Sequence, residues 1–494
     1  MKAGRDLSGC RRLLLIEAND QKRWIGSRVE PQMHIPPLGL MALAAYAKRE
    51  KPGLVVRIHE TSLDGDLKAV LAEFEPDLVG LRGINVFAPE YLVAAETVKA
   101  WRDVPVIGGG PIVSALKGEL LRRGTAFDLL VKGEGEGTLA ELLAGRVLEE
   151  VEGLFFRHGK NVVETPDRAL IDPLDTLPPP DYGLIDLDRY AAHLSYTYNH
   201  RRQGVLSTSR GCPFRCTYCM TFGGKTARLQ SAGRVVEDME TLARDHGVED
   251  FYFIDDVFNL SKPRTREIFQ RLIAKSWRKR LYFVNGLRAD VMDRGLVDLM
   301  AAAGTVWVTY AVETADPSLQ KLTKRVMHLD KALETINYTQ SKGLIVNVNT
   351  MYGFPTETPE MAQRTLDFLG RMSRPSTLPY HFCLRGYDGC EIVDQAEQAG
   401  WDRDLFLSDN VLAYNAVPRG TPTFPREAMM RHVIDYHERF GLRNREHLLR
   451  SVDLLSSNGY TERDILDMYT VLQNRPIGSV AEIPAVAQGG PRPS

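Results

Sequence analysis

Three of the six cysteines in this 494-residue chain stand close together, in the sequence RGCPFRCTYCM. Cys212, Cys216 and Cys219 have C-x3-C-x2-C spacing. Closely spaced thiolates are the ligands of iron–sulfur clusters, and three of them can hold three corners of a four-iron cubane. The fourth iron then has no protein ligand and can coordinate a small molecule, as the open position of a catalytic metal does. The spacing therefore predicts a cluster with one open iron.

A structural zinc site is the alternative interpretation of these cysteines. Zinc would need a fourth Cys or His at ligand spacing, and the chain has no second C-x2-C pair. His200 and His246 are the candidate fourth ligands, because Cys383 and Cys390 lie far along the chain. Six cysteines are also too few for a disulfide framework, so a reducing compartment is expected.

The elements that must position the cysteine loop belong to a block of alternating strands and helices between residues 203 and 387. The predicted strands are residues 205–209, 251–254, 281–285, 306–312, 345–351 and 381–384. Helical patterns lie between them. Six β/α repeats predict a (β/α)6 barrel of the TIM type, or most of one, with its chemistry at the carboxyl ends of the strands. The cysteines follow the first of these strands.

Motif and context together resemble the radical S-adenosylmethionine (SAM) superfamily. The resemblance is carried by Cys212, Cys216 and Cys219, by the aromatic Tyr218 before the last cysteine, and by the partial β/α barrel. It implies a four-iron four-sulfur cluster whose open iron binds the amino and carboxylate groups of SAM. One electron from an external donor, such as flavodoxin or ferredoxin, would then cleave SAM to a 5′-deoxyadenosyl radical. The cofactors supply this chemistry, and the protein orients them and excludes water.

The same resemblance places further residues beside SAM. Tyr218, together with Asp255 and Asp256 after the second strand, is expected there, although a helix N-cap and turn would also explain the two aspartates. Arg288 and Glu313 end the third and fourth strands, at positions that face SAM in such enzymes. Residues 353–358, GFPTET, resemble the turn that follows the fifth strand of the family, and a plain strand-to-helix connection is the alternative.

The first part of the chain has a second alternating pattern. Predicted strands at residues 13–17, 54–59, 78–82, 104–107 and 129–132 alternate with predicted helices at 38–50, 67–74, 89–102, 113–123 and 138–144. Five strands that are each followed by a helix predict a doubly wound parallel sheet. The ligand site of such a sheet lies at the carboxyl ends of its strands.

Three segments of this first part resemble the branch of radical SAM proteins that carries a cobalamin-binding domain. They are HIPPLGLMALAAYAKRE, VIGGGPIVSA and LLVKGEGEGTLAELL, and an LP-PPDY linker follows them. The branch includes cobalamin-dependent methyltransferases and the anaerobic magnesium-protoporphyrin cyclase type. The resemblance implies cobalamin as a cofactor, with contacts from Pro37, Gly39, Gly108, Gly109, Gly110, Gly133 and Glu134. Tight turns would explain the glycines equally well.

A histidine ligand to cobalt of the D-x-H-x-x-G type is not expected. The D-x-H-x-x-G motif of many cobalamin proteins is absent, and Ile112 stands where this branch commonly has a histidine. His34 and His59 are candidates for proximity to cobalamin only. A structural role for each is the alternative.

The linker and the C-terminal part complete the predicted domain organisation. Residues 1–150 form the cobalamin-binding-type domain, and residues 151–200 form a hairpin, turning at residues 158–160, and a proline-rich linker. Residues 201–388 form the barrel, and residues 389–494 a small helical domain with a disordered tail, AQGGPRPS. Helices are predicted at 426–440, 445–455 and 461–472, the last beginning with a capping box of Thr461 and Asp464.

The charge and hydropathy of the sequence limit the classes of binding partner that are expected. Lys plus Arg is 62 and Asp plus Glu is 64, so the net charge is −2 and no basic excess points to nucleic acid. The N-terminus lacks the apolar core of a signal peptide, and no stretch is long enough to cross a bilayer. A cytoplasmic protein with a small-molecule substrate, without a membrane or nucleic-acid partner, is expected.

The resemblance implies an enzyme that methylates an unactivated carbon of a small molecule or natural-product intermediate. Cyclisation, rearrangement or oxidation by the same radical is the first alternative. A first domain that binds no cobalamin and a non-catalytic metal-cluster binding protein are two others. Substrate determinants are expected at the strand ends and around residues 387–414. Near the last strand, Cys383 and Cys390 are either catalytic thiols or inert buried ones, and the inert state is the commoner one.

Overall fold

Two β-sheets with helices packed on them organise the chain. The structure is a computed structural model that describes residues 6–19, 33–84, 88–220, 223–408 and 420–484. The predicted tail AQGGPRPS and residues 409–414 of the predicted substrate-determining region lie outside the described residues.

The first sheet contains seven strands in the order β2-β1-β3-β4-β5-β6-β7, and β1 to β5 are parallel. The strands are β1 Arg12–Glu17, β2 Val55–Glu60, β3 Leu78–Arg82, β4 Val106–Gly109, β5 Leu129–Val131, β6 Leu154–His158 and β7 Asn161–Glu164. The chain reverses its direction of travel across the sheet between β2 and β3, which places a switch point beside β1. Ligands of doubly wound sheets bind outside the carboxyl ends of the strands at such a point.

Helices cover both faces of this sheet, as the alternating pattern predicts. They are Leu38–Glu50, Leu67–Phe74, Ala88–Trp101, Pro111–Leu116, Glu119–Arg122 and Gly135–Leu143. Leu13 and Leu15 pack toward one helical layer and Leu14 and Ile16 toward the other, so neighbouring residues of β1 face opposite layers.

The single helix predicted at 113–123 is wrong. The chain forms two shorter helices there, because Lys117 adopts a positive φ of 51° and ends the first one. Gly118 then begins the second.

The predicted hairpin is present and extends the first sheet. β6 pairs with β5 and β7 in antiparallel fashion, with His158 and Asn161 as the register partners at the turn. A short 3-10 helix at Leu148–Glu150 precedes the hairpin, and two more follow it at Leu174–Thr176 and Tyr182–Leu184, before an α-helix at Leu187–Ala191. Residues 178–180, the proline run, lie in neither helix nor strand. The predicted domain boundaries themselves stay a prediction.

The second sheet is parallel, and its six strands neighbour one another in chain order. The strands are β8 Gln203–Leu206, β11 Asp250–Phe253, β12 Arg280–Leu287, β13 Thr305–Glu313, β14 Ile345–Tyr352 and β15 His381–Cys383. A separate antiparallel ribbon is made of β9 Ser209–Arg210 and β10 Arg228–Leu229. The strand predicted at 205–209 therefore ends early, because Ser209 pairs with Leu229 in this ribbon.

Six helices connect the parallel strands, and residue types that favour helix ends occupy their caps. They are Ala232–His246, Lys262–Ile273, Arg294–Ala302, Pro317–Leu322, Leu329–Ser341 and Pro359–Gly370. The first begins where the Ser231 side chain accepts from the Arg234 N–H, and it ends at Gly247, whose φ is 63°. Such N-caps and left-handed C-terminal glycines define helix ends locally. Two 3-10 turns, Phe258–Leu260 and Ala289–Val291, complete the block.

The C-terminal part is helical, as predicted. Its helices are Glu391–Gln398, Arg403–Ser408, Arg426–Phe440, Arg445–Ser457 and Glu462–Gln473, followed by a 3-10 turn at Val480–Glu482. The predicted capping box of Thr461 and Asp464 is confirmed. None of the helices in the described part of the chain combines the length and apolar character that crossing a bilayer requires.

The C-terminal helices pack against one face of the second sheet. Leu448, Ile465 and Met468 share a buried cluster with Tyr252 and Trp307 of the sheet. Phe253 and Phe283 face the opposite way, toward the connecting helices. The last helices thus fill the concave side of the partial barrel and leave the carboxyl ends of its strands for the site.

Candidate functional site

The cysteine loop begins and ends at the β9–β10 ribbon. Gly211, just before Cys212, has a φ of 86°, and a Cβ there would lie 2.4 Å from the Thr226 carbonyl oxygen. Glycine is required at this position, because any side chain would meet backbone. The Cys212 N–H donates to the Gly224 carbonyl at 3.1 Å, which closes the loop from the other side.

The three thiols share this loop, and Cys212 and Cys216 lie near enough to Cys219 to affect its pKa. Cys212 and Cys216 are half-buried and Cys219 is exposed. Although part of the residue is in contact with solvent, desolvation of its thiol by surrounding protein atoms, followed by the charges of Cys216 and Cys212, raises the pKa of Cys219 to about 12. Binding to iron removes this cost, since a coordinating thiol is deprotonated by the metal. The donor set therefore fits an iron–sulfur cluster.

Backbone contacts hold the middle of the loop against the barrel. The Thr217 N–H donates to the Thr323 carbonyl at 3.0 Å, and the Ile392 N–H donates to the Thr217 carbonyl at 2.9 Å. Two separate parts of the chain thus fix the segment between Cys216 and Cys219.

Arg325 is a site residue that the sequence analysis missed. Its Nη1 lies 3.8 Å from the Cys216 Sγ, and its Nη2 donates to the Ala311 carbonyl at 2.6 Å. A guanidinium beside a ligating sulfur stabilises negative charge on that sulfur. The residue follows a short helix in the sequence TKRV, where a basic pair gives no sign of a buried role.

Glu313 and Tyr218 lie near this guanidinium. Glu313 ends β13 with a positive φ of 69°, a strained conformation for a residue with a side chain. Burial raises the pKa of its carboxyl, and Arg325 partly offsets that effect. Within the described chain, the buried Tyr218 hydroxyl has no hydrogen-bond partner. The strained backbone of Glu313, its buried carboxyl and the unpartnered Tyr218 hydroxyl together fit a bound polar ligand such as SAM.

The two predicted aspartates after β11 differ. Asp255 is buried, and its Oδ1 accepts from the Thr208 and Ser209 hydroxyls at 2.8 and 2.5 Å. Asp256 is exposed, and its carboxylate accepts a hydrogen bond from the Gly211 N–H. The helix N-cap alternative is wrong, because Val257 and Ser261 precede the next helices. Both aspartates instead contact the approach to the cysteine loop.

Arg288 is tied down by its own neighbours. Its Nε and Nη2 donate to both Asp290 carboxylate oxygens at 3.0 and 2.7 Å, and the Nη2 also donates to the Val326 carbonyl. The guanidinium carbon lies 4.5 Å from the ring centroid of Phe214, which is on the cysteine loop. Arg288 thus supports the loop by a cation–π contact.

A cavity of about 480 Å³ lies between the carboxyl edges of the two sheets. Gly39, Gly108, Gly109, Gly110, Gly133 and Glu134 of the first part line it, and so do Arg210, Gly211 and Asp256 of the second. Pro37 is buried and caps the helix that begins at Leu38. Six of the seven residues predicted to contact cobalamin therefore share one cavity with the start of the cysteine loop.

The predicted cavity glycines serve two purposes. A Cβ on Gly108 would lie 2.2 Å from the Tyr91 hydroxyl, and one on Gly110 would lie 2.8 Å from the Gly83 carbonyl, so internal packing requires both. A Cβ on Gly133 would meet nothing within 4 Å, and one on Gly109 only the Leu81 carbonyl at 3.9 Å. These two leave bare backbone toward the cavity, as a large flat ligand requires.

Arg82 and Glu17 are two further site residues that the sequence analysis missed. Arg82 lines the cavity and is hydrogen-bonded to Glu17. Burial raises the pKa of Glu17 to about 7. Gly39 and Gly110 flank the Arg82 side chain closely, with built Cβ positions 3.7 and 3.0 Å from it. The two residues end β3 and β1, at the switch point.

Three of the four candidate histidines contact other side chains. His34 Nδ1 lies 2.8 Å from the buried Glu60 carboxylate. His200 lies 2.8 Å from Asp467 of the C-terminal part, and His246 packs on Tyr182. His59 differs from these three: it is buried, burial lowers its pKa, and neither ring nitrogen has a hydrogen-bond partner among the described residues. The alternative of structural roles suits these contacts.

The two cysteines after β14 lie in different surroundings. Cys390 is buried at the start of the helix Glu391–Gln398, and burial raises its pKa to about 11, which describes an inert thiol. Cys383 lines a second cavity of about 350 Å³ with Arg385, Trp401 and Arg426.

The turn predicted at 353–358 contains a buried carboxyl that the sequence analysis did not single out. Glu357 accepts hydrogen bonds from the Gly353 and Phe354 N–H groups. Its other oxygen has no partner among the residues that are described. Burial raises the pKa of Glu357 to about 8.

Two family profiles match the chain. The profile described as the radical SAM superfamily matches residues 206–369, and the one described as a B12 binding domain matches residues 28–143. The first range contains the cysteine loop and β11 to β14, and the second contains the glycines of the cavity. Radical SAM enzymes use a four-iron four-sulfur cluster and SAM, and a B12 binding domain holds cobalamin. These are the cofactors of this chain.

Curated relatives include methyltransferases and cyclases. An uncharacterized methyltransferase of Pyrococcus horikoshii is 29% identical over 345 residues, which cover 68% of this chain and 73% of the relative. The anaerobic magnesium-protoporphyrin IX monomethyl ester cyclase of Rubrivivax gelatinosus is 24% identical over 348 residues, which cover 67% of this chain and 61% of the relative. The chain thus spans less than two thirds of the cyclase.

A solved structure shares the fold. The radical SAM methyltransferase TsrM of Kitasatospora setae, with cobalamin and a cluster bound, superposes with a TM-score of 0.63 at 22% identity. The match covers 78% of this chain and 75% of TsrM. The chain is an enzyme with a radical SAM domain at residues 206–369 and a B12-binding domain at residues 28–143.

Proposed function

We propose that this enzyme is a cobalamin-dependent methyltransferase that methylates an unactivated carbon of a small molecule or natural-product intermediate. One observation carries the proposal: the cavity that the glycines of the first sheet line also reaches the start of the cysteine loop. When bound, cobalamin supplies a methyl carrier, and the cluster with SAM supplies a radical that abstracts hydrogen from the substrate.

The residues of the chain divide this work between them. Cys212, Cys216 and Cys219 hold the cluster, and Arg325 stabilises charge on Cys216. Tyr218, Asp256 and Glu313 present polar groups to SAM, while Asp255 and Arg288 position the loop through their hydrogen bonds and the Phe214 contact.

Cobalamin lies, in this proposal, along the bare backbone of Gly109 and Gly133. Gly39, Arg82 and Glu134 line the same side of the cavity. Leu13, Leu15 and Leu38 make part of the lining apolar, which keeps water from the reacting groups. An external one-electron donor such as flavodoxin or ferredoxin reduces the cluster.

Radical cyclisation or oxidation without methyl transfer is the second candidate. The similarity to the Rubrivivax gelatinosus cyclase supports it, since that relative matches across both parts of the chain. The two candidates differ in what they do with SAM. Methyl transfer converts SAM to S-adenosylhomocysteine as well as to 5′-deoxyadenosine, and the second candidate produces 5′-deoxyadenosine alone.

The products of SAM therefore test the proposal. Protein reconstituted anaerobically with iron, sulfide and cobalamin is incubated with SAM and a strong one-electron reductant. We expect S-adenosylhomocysteine in amounts that follow the bound cobalamin, and 5′-deoxyadenosine in amounts that follow the cluster. Protein reconstituted without cobalamin is the matched control, and it should lose only the first product. Formation of 5′-deoxyadenosine without cobalamin-dependent S-adenosylhomocysteine would favour the second candidate.

A further inference from the structure

Four charged side chains join the start of helix Gly135–Leu143 to the two strands that flank the cysteine loop. We call Glu134, Glu136, Arg210 and Arg228 the clamp. Arg210 Nη1 lies 3.1 Å from Glu134 Oε1, and its Nη2 lies 2.6 Å from Glu136 Oε1. Arg228 Nη2 and Nη1 lie 2.8 and 3.1 Å from the two Glu134 oxygens. Each arginine thus uses two nitrogens on the glutamates.

The clamp is shielded from solvent. The side chains of Arg228, Glu134 and Glu136 are 4%, 8% and 8% exposed, and that of Arg210 is 22% exposed. Exposed ion pairs restrain little, whereas removing one partner of a buried pair leaves an uncompensated charge. Two acids face two bases, so the group is balanced and its geometry is strongly specified.

Its arginines are placed at both ends of the cysteine loop. Arg210 and Arg228 are register partners in the β9–β10 ribbon. Arg228 also donates to the Gly223 carbonyl at 2.9 Å, inside the loop, and to the Ile171 carbonyl at 2.6 Å, in the linker. The Ile171 N–H donates in turn to Glu134 at 2.8 Å. The clamp therefore connects loop, linker and first sheet.

Its glutamates belong to the opposite wall. Glu134 follows β5 and Glu136 lies in the first turn of the helix that packs on the first sheet. Glu134, Glu136 and Arg210 all line the cavity between the two sheets. The same side chains thus contact the base of the loop and face the space where cobalamin is proposed.

We propose that the clamp sets the spacing between the cluster and cobalamin, so that its four members are positioning residues for both cofactors. The inference rests on the proposed function only in placing cobalamin in this cavity. A methyl carrier and a radical source that act on one substrate must be held in fixed relative geometry, because small misplacements lower rates strongly. The loop and the first sheet are separate elements, and the clamp joins them through buried charged contacts.

The spacing can be measured directly. In protein loaded with both cofactors, the reduced cluster and cob(II)alamin are both paramagnetic, and their magnetic interaction depends on the distance between them. Electron paramagnetic resonance of the doubly loaded protein therefore reports the spacing without any turnover.

Arg210→Lys is the first variant, because one ammonium cannot replace a planar fork that reaches two carboxylates. Glu136→Gln is the second, and it leaves Glu134 with Arg228. Glu141→Gln is the matched control: it lies on the same helix and pairs with Arg168 outside the clamp. We expect the interaction between the two spins to be weaker and more widely distributed in the first two variants, and unchanged in the control. Iron and cobalamin contents should stay at the parent level in all three.

Two results would overturn the inference. One is an unchanged spin–spin interaction in both Arg210→Lys and Glu136→Gln. The other is loss of iron from both variants, which would assign the clamp to cluster retention and not to spacing. The proposed function fails separately, if the parent protein forms no cobalamin-dependent S-adenosylhomocysteine while its spin–spin interaction responds to the variants as expected.

Discussion

The two parallel sheets present opposite kinds of surface at their carboxyl edges. The first places glycines at the end of its fourth strand and after its fifth, where Gly109 and Gly133 expose backbone to the cavity. The second ends in side chains with chemistry, among them Asp255, Arg288 and Glu313. Both edges meet at one cavity, but one contributes room and the other contributes ligands.

This difference follows from what each cofactor brings. Cobalamin carries its own metal and ring, so its domain must mainly leave space and a fitting backbone. An iron–sulfur cluster is assembled on the protein, so its domain must supply sulfurs and the charges that stabilise them. A stretch of sheet edge that exposes mainly backbone, as at Gly109 and Gly133, is therefore compatible with a reactive cofactor.

The largest expected effect tests the ligand-rich edge. Cys216→Ala should remove the cluster and with it 5′-deoxyadenosine formation, down to background, because two thiols remain where the cubane needs three. Iron and sulfide analysis and the SAM products are the measurements. Cys390→Ala is the control, since that buried thiol is close to the loop but outside the cysteine motif. SAM cleavage by Cys216→Ala at the parental rate would contradict the cluster assignment.

The buried carboxyls at the two edges provide the next test. Burial raises the pKa of Glu357, after β14, to about 8, and that of Glu17, at the end of β1, to about 7. The folded state therefore holds a proton that the unfolded state releases above about pH 4.5, and stability falls as pH rises from there toward 8. Glu357→Gln should remove up to about 5 kcal/mol of this decline, at roughly 1.4 kcal/mol per pKa unit.

Urea unfolding at several pH values measures this effect. Glu360→Gln is the control, because that side chain lies two positions beyond the turn at the exposed start of the next helix. The control should keep the parental pH dependence. A parental slope in Glu357→Gln would show that another group holds the proton.

The backbone-lined edge is tested by filling it. Gly133→Val places a branched side chain where the cavity is open, and we expect cobalamin binding to weaken roughly tenfold or more. Gly124→Val is matched, since Gly124 has a φ of 73° against 72° for Gly133 and equally open surroundings, but lies outside the cavity lining. Both variants carry the same backbone strain. Cobalamin titration should separate them, and equal affinities would remove Gly133 from the site.

The smallest effect is expected away from both edges. Thr461→Ala removes half of the capping box of the last long helix and should lower stability by about 1 kcal/mol. The SAM products per loaded protein should not change, because this helix packs on the concave face of the second sheet. Thermal unfolding and the product assay measure the two outcomes. A change in products would mean that the C-terminal helices also shape the site.

The predictable part of the fold is the part with local signals. Helices Leu38–Glu50 and Leu67–Phe74 begin and end where the pattern of apolar residues predicts. The cysteine motif and the cavity glycines can likewise be identified from residue type and spacing. The break at Lys117 is different, because a lysine with positive φ has no sequence signature.

The unpredicted part depends on contacts between distant segments. β9 and β10 have two residues each, too few for any periodic pattern. Arg325 reaches Cys216 from 109 positions away, and Glu134 meets Arg228 from 94. Side chains brought together over such separations are identified by the fold and not by local sequence.

The β9–β10 ribbon has a consequence for how the cluster is acquired. Joining the ends of a flexible segment lowers its conformational entropy, by an amount that grows with the logarithm of its length. The pairing of Arg210 with Arg228 closes residues 211–227 during folding of the chain itself. Incoming iron and sulfide therefore meet thiols that are already confined to a small volume, and less of the binding free energy is consumed in ordering the polypeptide.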